Sequence, residues 1–155
     1  MAHVELSLSE PFAPQLDSDH GDFGSTELYT SVDRWSAAAR GAVEPCLVID
    51  EVGAIASVSP SACNLLGLAS PDDVIGEFLQ SGQLLALVDF TPAPAALSEG
   101  DIEKIPPLLA LSSRRLARGL LRVRSGAEVI TLDAVATPLW EGNHVIGSLT
   151  FLCLV

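Results

Sequence analysis

Apolar residues change their period several times along the chain, and each change marks an element. Over residues 26–40, Leu28, Val32, Trp35 and Ala39 recur at helical spacing and share one face. Thr26 is expected to cap this helix, with Glu27 in its first turn and Gly41 at its end. Residues 46–50 form a continuous apolar run rich in Val and Ile. Glu51-Val52-Gly53 turns the chain and residues 54–58 return, which predicts a hairpin. Ser59-Pro60 then opens a helix, Ser as N-cap and Pro at the first helical position. It continues through Ala62, Leu65 and Leu66 to Gly67. Ser70-Pro71-Asp72-Asp73 repeats the start signal for a short helix closing near Gly76, with two carboxylates at the positive end of its dipole.

Residues 77–107 carry a weaker pattern. Leu79, Leu84, Leu85 and Leu87 suggest a buried helical piece, broken by Thr91-Pro92-Ala93-Pro94. Pro106-Pro107 starts another helix through Leu108, Leu109, Leu111 and Leu116, ending before Gly119. Strands are expected at 120–124, 128–139 and 145–154, joined by turns at Ser125-Gly126-Ala127 and Glu141-Gly142-Asn143. Residues 145–154 are largely apolar on both faces, the mark of a central strand covered on both sides. Residues 1–24, with Pro11, Pro14, Gly21 and Gly24 among carboxylates, read as a flexible or loosely docked tail. The expected organisation is this tail (1–24), a flanking helix (25–42) and one domain (43–155).

Composition narrows the function classes. A chain of 155 residues supports one domain with a true core. It is 48% hydrophobic, with mean hydropathy +0.40, so part of its apolar surface is expected to meet a partner. No apolar run approaches the roughly 20 residues that span a bilayer. The N-terminus lacks the pattern of a secretory signal, and a cytoplasmic location is the expectation. Net charge is −12, and no Lys or Arg precedes Arg34; such a surface repels phosphate backbones and argues against nucleic acid. The one basic cluster, Arg114, Arg115, Arg118, Arg122 and Arg124, reads as a solvated face or as a docking patch for an acidic partner or the chain's own tail. Cys46, Cys63 and Cys153 are odd in number, lack metal or redox spacing and sit in apolar stretches, so buried free thiols are expected.

The order helix, strand, strand, short helices, strand, strand, strand resembles the PAS domain family of small sensory and interaction modules. Asp50-Glu51-Val52-Gly53 is similar to the family's strand-Asp-x-x-Gly opening. Ser59-Pro60-Ser61-Ala62 followed by Leu65-Leu66-Gly67 resembles its Asn-x-Ala-x-x-x-Leu-x-Gly helix, with Ser59 in place of the usual Asn. Asp73-Val74-Ile75-Gly76, Thr137-Pro138-Leu139 and Val145-Ile146-Gly147 continue the likeness, which covers about residues 43–155. The resemblance implies an α+β fold. Its five-stranded antiparallel sheet has the first strand in the centre beside the last, and Cys46 near Cys153. Helices cover one face, and the amphipathic flanking helix lies on the other and joins dimers. Leu28, Val32, Trp35 and Ala39 are then the expected dimer contacts.

The family binds haem, flavins, small carboxylates, fatty acids or nothing. An axial haem ligand is commonly a His in the cavity segment, and none lies between His20 and His144. Gly76-Glu77-Phe78-Leu79-Gln80-Ser81-Gly82 is similar to the blue-light flavin signature but lacks its central Asn-Cys-Arg, so no flavin adduct is expected. Only Lys104 and the Arg cluster could serve a carboxylate ligand. No cofactor and no metal are expected; an apolar ligand or a packed core remains. Phosphate-loop, G-x-S-x-G and H-E-x-x-H motifs are all missing, so catalysis is not expected. Asp133 reads as a surface carboxylate, with a place in the cavity as its sharper alternative. The expected function is a non-catalytic sensory or protein-interaction module in signal transduction or transcriptional regulation. It would be homodimeric and act on an unidentified regulatory protein. The alternatives are a ligand-free adaptor and a small α+β pocket enzyme of isomerase or hydratase type, which would need a carboxylate or His inside its cavity.

Overall fold

Strands from opposite ends of the domain pair at the middle of one antiparallel sheet. A computed structural model describes residues 29–81 and 84–155. Its elements are α1 (Ser31–Arg40), β1 (Cys46–Asp50), β2 (Ile55–Val58), α2 (Pro60–Leu66), α3 (Pro71–Val74), β3 (Leu87–Val88), α4 (Glu99–Ile102), α5 (Pro106–Ser113), β4 (Ala117–Ser125), β5 (Glu128–Glu141) and β6 (His144–Leu154). The sheet order is β2-β1-β6-β5-β4-β3. The first long strand lies beside the last, with Cys46 opposite Phe151 and Asp50 opposite Gly147. The expected fold class holds, with a sixth strand added at the far edge.

The β1–β2 turn shows why its acidic residue and glycine stand where they do. The Asp50 Oδ1 accepts from the amides of Val52 and Ala54 at 3.0 and 2.9 Å. Gly53 takes a φ of +84°, and a Cβ there would strike the Gln80 side chain and Leu108. Ser59 is fully buried. Its hydroxyl oxygen accepts from the amides of Ala62 (3.2 Å) and Cys46 (3.0 Å) and lies 3.0 Å from the Glu44 carbonyl, to which it can donate. One short side chain thus caps α2 and ties it to the start of β1. Gly67 ends α2 in the left-handed region at φ +70°.

The core lies between the sheet and α2–α5. Leu47, Ile49, Ile55 and Val58 of the first hairpin meet Ala62, Cys63 and Leu66 of α2, Ile102, Ile105, Leu108, and Leu121, Val123, Leu132 and Leu152 of the later strands. A second cluster on the opposite face joins Ala39 of α1 to Cys46, Val48, Leu139 and Leu149, with Val32, Ala42 and Ala56 against it. Alternation along β1 separates the two layers: Leu47 and Ile49 face inward, Cys46 and Val48 outward.

Several boundaries depart from the sequence expectation. The helix α1 starts at Ser31, because Thr30 rather than Thr26 caps it. Thr30 accepts from the Asp33 amide while the Asp33 carboxylate accepts from the Thr30 amide and hydroxyl. These bonds hold the Asp33 carboxyl below its ordinary range. The expected buried helix after Leu79 is a 3-10 turn at Leu79–Ser81 and then the two-residue strand β3. The run is too short to propagate a helix, and its end pairs with β4 instead, Leu87 opposite Val123 and Val88 opposite Arg122. A short helix, α4, was not expected; Ser98 caps it. Leu116 lies outside α5, which Arg114 ends in the left-handed conformation. Cys153 is exposed, not buried, and pairs opposite Asp133; Cys46 and Cys63 are buried as expected. The tail and Leu28 lie outside the described residues.

Replacing Ser59 with Ala leaves the buried Cys46 amide and the Ala62 amide without their acceptor. The expected loss is about 2–3 kcal/mol, read as a lower urea midpoint at unchanged m-value.

Candidate functional site

The two faces of the sheet offer two kinds of site, an enclosed layer and an open surface. The enclosed layer is almost wholly hydrocarbon. Its polar side chains come from the central strand: β6 turns Ser148 and Thr150 inward, both fully buried. The Ser148 hydroxyl donates to the Pro107 carbonyl at 2.9 Å and so ties β6 to the start of α5. The Thr150 Oγ1 has no hydrogen-bond partner among the described residues. It pairs in register with Leu47 and Ala136, and Ala136 packs with Ala110 and Ala117. These three small side chains let α5 approach the sheet closely, which narrows the space a ligand could take. Cys63 also lies in this layer, and burial pushes its thiol above the ordinary value, as it does for Cys46. Both thiols therefore stay protonated and unreactive at neutral pH.

The grooves with polar lining lie at the surface. One of about 540 Å³ runs between the β1–β2 turn and α5, lined by Glu51, Gln80, Glu103, Lys104 and Ser112 beside Leu108. Among the described residues no three His, Cys, Asp or Glu side chains cluster as metal ligands would. Lys104 pairs with Asp101 at 3.2 Å on the surface. Asp133 faces outward, where Arg118 binds it with two nitrogens and holds its carboxyl below the ordinary range. It is a surface carboxylate and not a cavity one. His144 is exposed at the start of β6.

The open surface is the outer face of the sheet beside α1. The helix covers β1 and β2 through Ala39 and Val32, and Gly147 permits this: a Cβ there would collide with Val32 and the Ile49 carbonyl. Two polar ties hold its ends of contact. Ser31 donates through its amide to Glu141 (3.1 Å) and through its hydroxyl to the Trp140 carbonyl (2.9 Å). The Ser57 hydroxyl donates to the Ser36 carbonyl at 2.9 Å. Trp35 follows Ser31 by one helical turn, so it sits on the flank turned toward β5 and away from Ser36 and β2. It is 45% exposed, as is Phe151, and Leu120 is 52% exposed. Phe151 pairs with Val135, which pairs with Arg118, next but one to Leu120 on the same face. The outer face thus leaves Trp35, Phe151 and Leu120 exposed, with the Arg118–Asp133 pair standing between Val135 and Leu120.

The four helix residues singled out from the sequence therefore divide. Ala39 is buried against the chain's own sheet, Val32 is half-buried there, Trp35 remains exposed, and Leu28 is outside the described residues. The sequence reading missed the ties at Ser31, Ser57 and Glu141, whose residue types carry no signal by themselves. It also expected β6 to be covered on both faces, and Phe151 is not: α1 ends short of it. The Arg cluster divides as well. Arg122 donates to the carbonyls of Asp89 and Thr91 and lies 5.6 Å from the Phe90 ring centre, while Arg114 and Arg115 are exposed.

No protein-family model matches the chain, and no curated protein matches it. Solved structures do. The PAS domain of BvgS from Bordetella pertussis superposes with a TM-score of 0.57 at 11% identity, over 80% of this chain and 85% of that one. A PAS domain from Colwellia psychrerythraea gives 0.55 at 16% identity, over 80% and 96%. The LOV protein of Rhodobacter sphaeroides gives 0.57 at 14% identity, over 81% and 67%. With its strand order, its Asp50–Gly53 turn and its helical layer over one face, the chain has the fold of a PAS domain.

Proposed function

We propose that the chain is a non-catalytic PAS sensory and protein-interaction module that works as a homodimer. The observation that carries this reading is the exposure of Trp35 on α1 and of Phe151 on the outer face of β6, which pairs with Val135. Large aromatic residues left exposed on one face mark an interaction surface. A second copy presenting the same face would bury these side chains symmetrically, with α1 of each protomer at the centre. A change in the enclosed layer would reach the dimer through β6, which carries Thr150 on its inner face and Phe151 on its outer face. The module would then bias a regulatory partner by shifting α1.

Two versions of this function differ in the interior. In a sensor, a small apolar ligand enters between the helices and the sheet, and the Thr150 hydroxyl is its hydrogen-bonding handle. In a ligand-free adaptor the layer stays packed, a version favoured by the close approach of α5 at Ala110, Ala117 and Ala136. Thr150→Val separates them. If the hydroxyl is unpaired in the purified protein, the variant gains about 1 kcal/mol in denaturant unfolding, because a buried donor without a partner is removed. A loss of stability, with a bound small molecule seen by native mass spectrometry, would establish the sensor version.

Dimerisation is tested on the exposed residues. Trp35→Glu combined with Phe151→Glu is expected to raise the dimer dissociation constant at least about 100-fold, since central aromatic contacts carry most of an interface's energy. Light scattering would show the monomer mass at concentrations where the parent chain is a dimer. A parent chain that is already monomeric would sink the dimer reading.

A further inference from the structure

The far edge of the sheet is left open. β4 pairs with β5 along its whole length, from Ala117 to Ser125, but with β3 only at Arg122 and Val123. The Arg124 amide donates to the Ala86 carbonyl at 2.9 Å, on the side away from β5. Alternation along the strand aims the backbone groups of Leu120 and Arg118 to that same side, where β3 has ended. Among the described residues nothing pairs with them. A groove of about 280 Å³ follows this edge, lined by Phe90, Leu97, Ile105 and Pro106 together with Asp89, Asp101 and Lys104. Unpaired strand edges take up extended segments through backbone hydrogen bonds, with alternate side chains setting the choice.

The chain itself carries a segment with the matching pattern. Val4, Leu6 and Leu8 alternate with Glu5, Ser7 and Ser9, and Glu10-Pro11 closes the run. No Lys or Arg occurs before Arg34, whereas the edge strand bears Arg118, Arg122 and Arg124 in an otherwise acidic chain. We propose that residues 4–10 of the same chain add to the open edge of β4 as a further strand. Pairing there sets Val4, Leu6 and Leu8 over Ile105 and Pro106, and Glu5 on the outer face, where Arg118 already holds Asp133. The connection is long enough. From Glu10 to Tyr29 the chain spans up to about 60 Å extended, and β4 lies three strand spacings, about 15 Å, from β1 beneath α1. The added strand would also cover an edge that otherwise invites pairing between copies.

Amide hydrogen exchange on the full chain tests this, comparing the parent with Leu6→Lys/Leu8→Lys and, separately, with Ser7→Pro, which removes a ladder amide without altering the apolar face. The amides of Arg118 and Leu120 are expected to exchange at least about tenfold faster in both variants. The Leu149 amide, deep in β6, should stay unchanged and so show an intact core. The same ratio should hold on dilution. Unchanged exchange at Arg118 and Leu120 overturns the proposal. So does protection in the parent that fades on dilution, since it would assign the edge to the segment of a second copy.

Discussion

The pairing of β1 with β6 is the contact around which the other elements are placed. Cys46 meets Phe151 across nearly the whole domain, so forming this ladder closes a long loop and costs chain entropy before any local contact repays it. Once it forms, everything between must fold back over one face, because β2 occupies the outer side of β1 and β5 the other side of β6. The inserted helices then cover the inner face and α1 is left the outer one. Ser59 reinforces the ladder at the end where β1 begins, by linking that backbone to the first helix of the insert.

β6 carries the traffic between the two layers. On one face it holds Ser148 and Thr150 under α5; on the other it holds Gly147 under Val32, then Leu149, then the exposed Phe151. Because successive side chains alternate, a displacement of the strand moves both layers together. Close packing on each side leaves few intermediate positions, so a shift in the helical layer would be felt by α1 and not absorbed. This is the physical basis of the coupling between the two layers that we propose. It depends on a small residue at Gly147, where α1 approaches the sheet.

Much of the architecture was legible in the sequence. The Asp50–Gly53 turn, the Ser59-Pro60 helix start and the stop at Gly67 are local devices: each depends on a few adjacent residues, and the structure shows each at the position expected. Residues 145–154, apolar on both faces, marked a central strand, and the resemblance to PAS domains set it beside the first strand. The helix start at Thr30 was missed because two threonines stood near it, and only Thr30 has an acidic residue three positions on that completes the reciprocal cap. The stretch after Leu79 was misread because a two-residue strand has no period of its own; pairing with Arg122 and Val123 creates it.

The candidate surface was legible only in part. The sequence by itself determined which residues are apolar at helical spacing in α1, and so that Trp35 shares a stripe with Val32 and Ala39. It determined the apolar interior, the acidic charge and the lone run of arginines. Only the tertiary structure decided how those were divided: Ala39 under the helix, Trp35 and Phe151 in the open, Asp133 clamped by Arg118 on the outside, and Thr150 buried without a partner among the described residues. The reason is one of range. Periodicity reports which side of an element is apolar, but how far a helix extends over a sheet depends on distant residues such as Gly147, Trp140 and Glu141, whose relation to α1 exists only once the strands have paired.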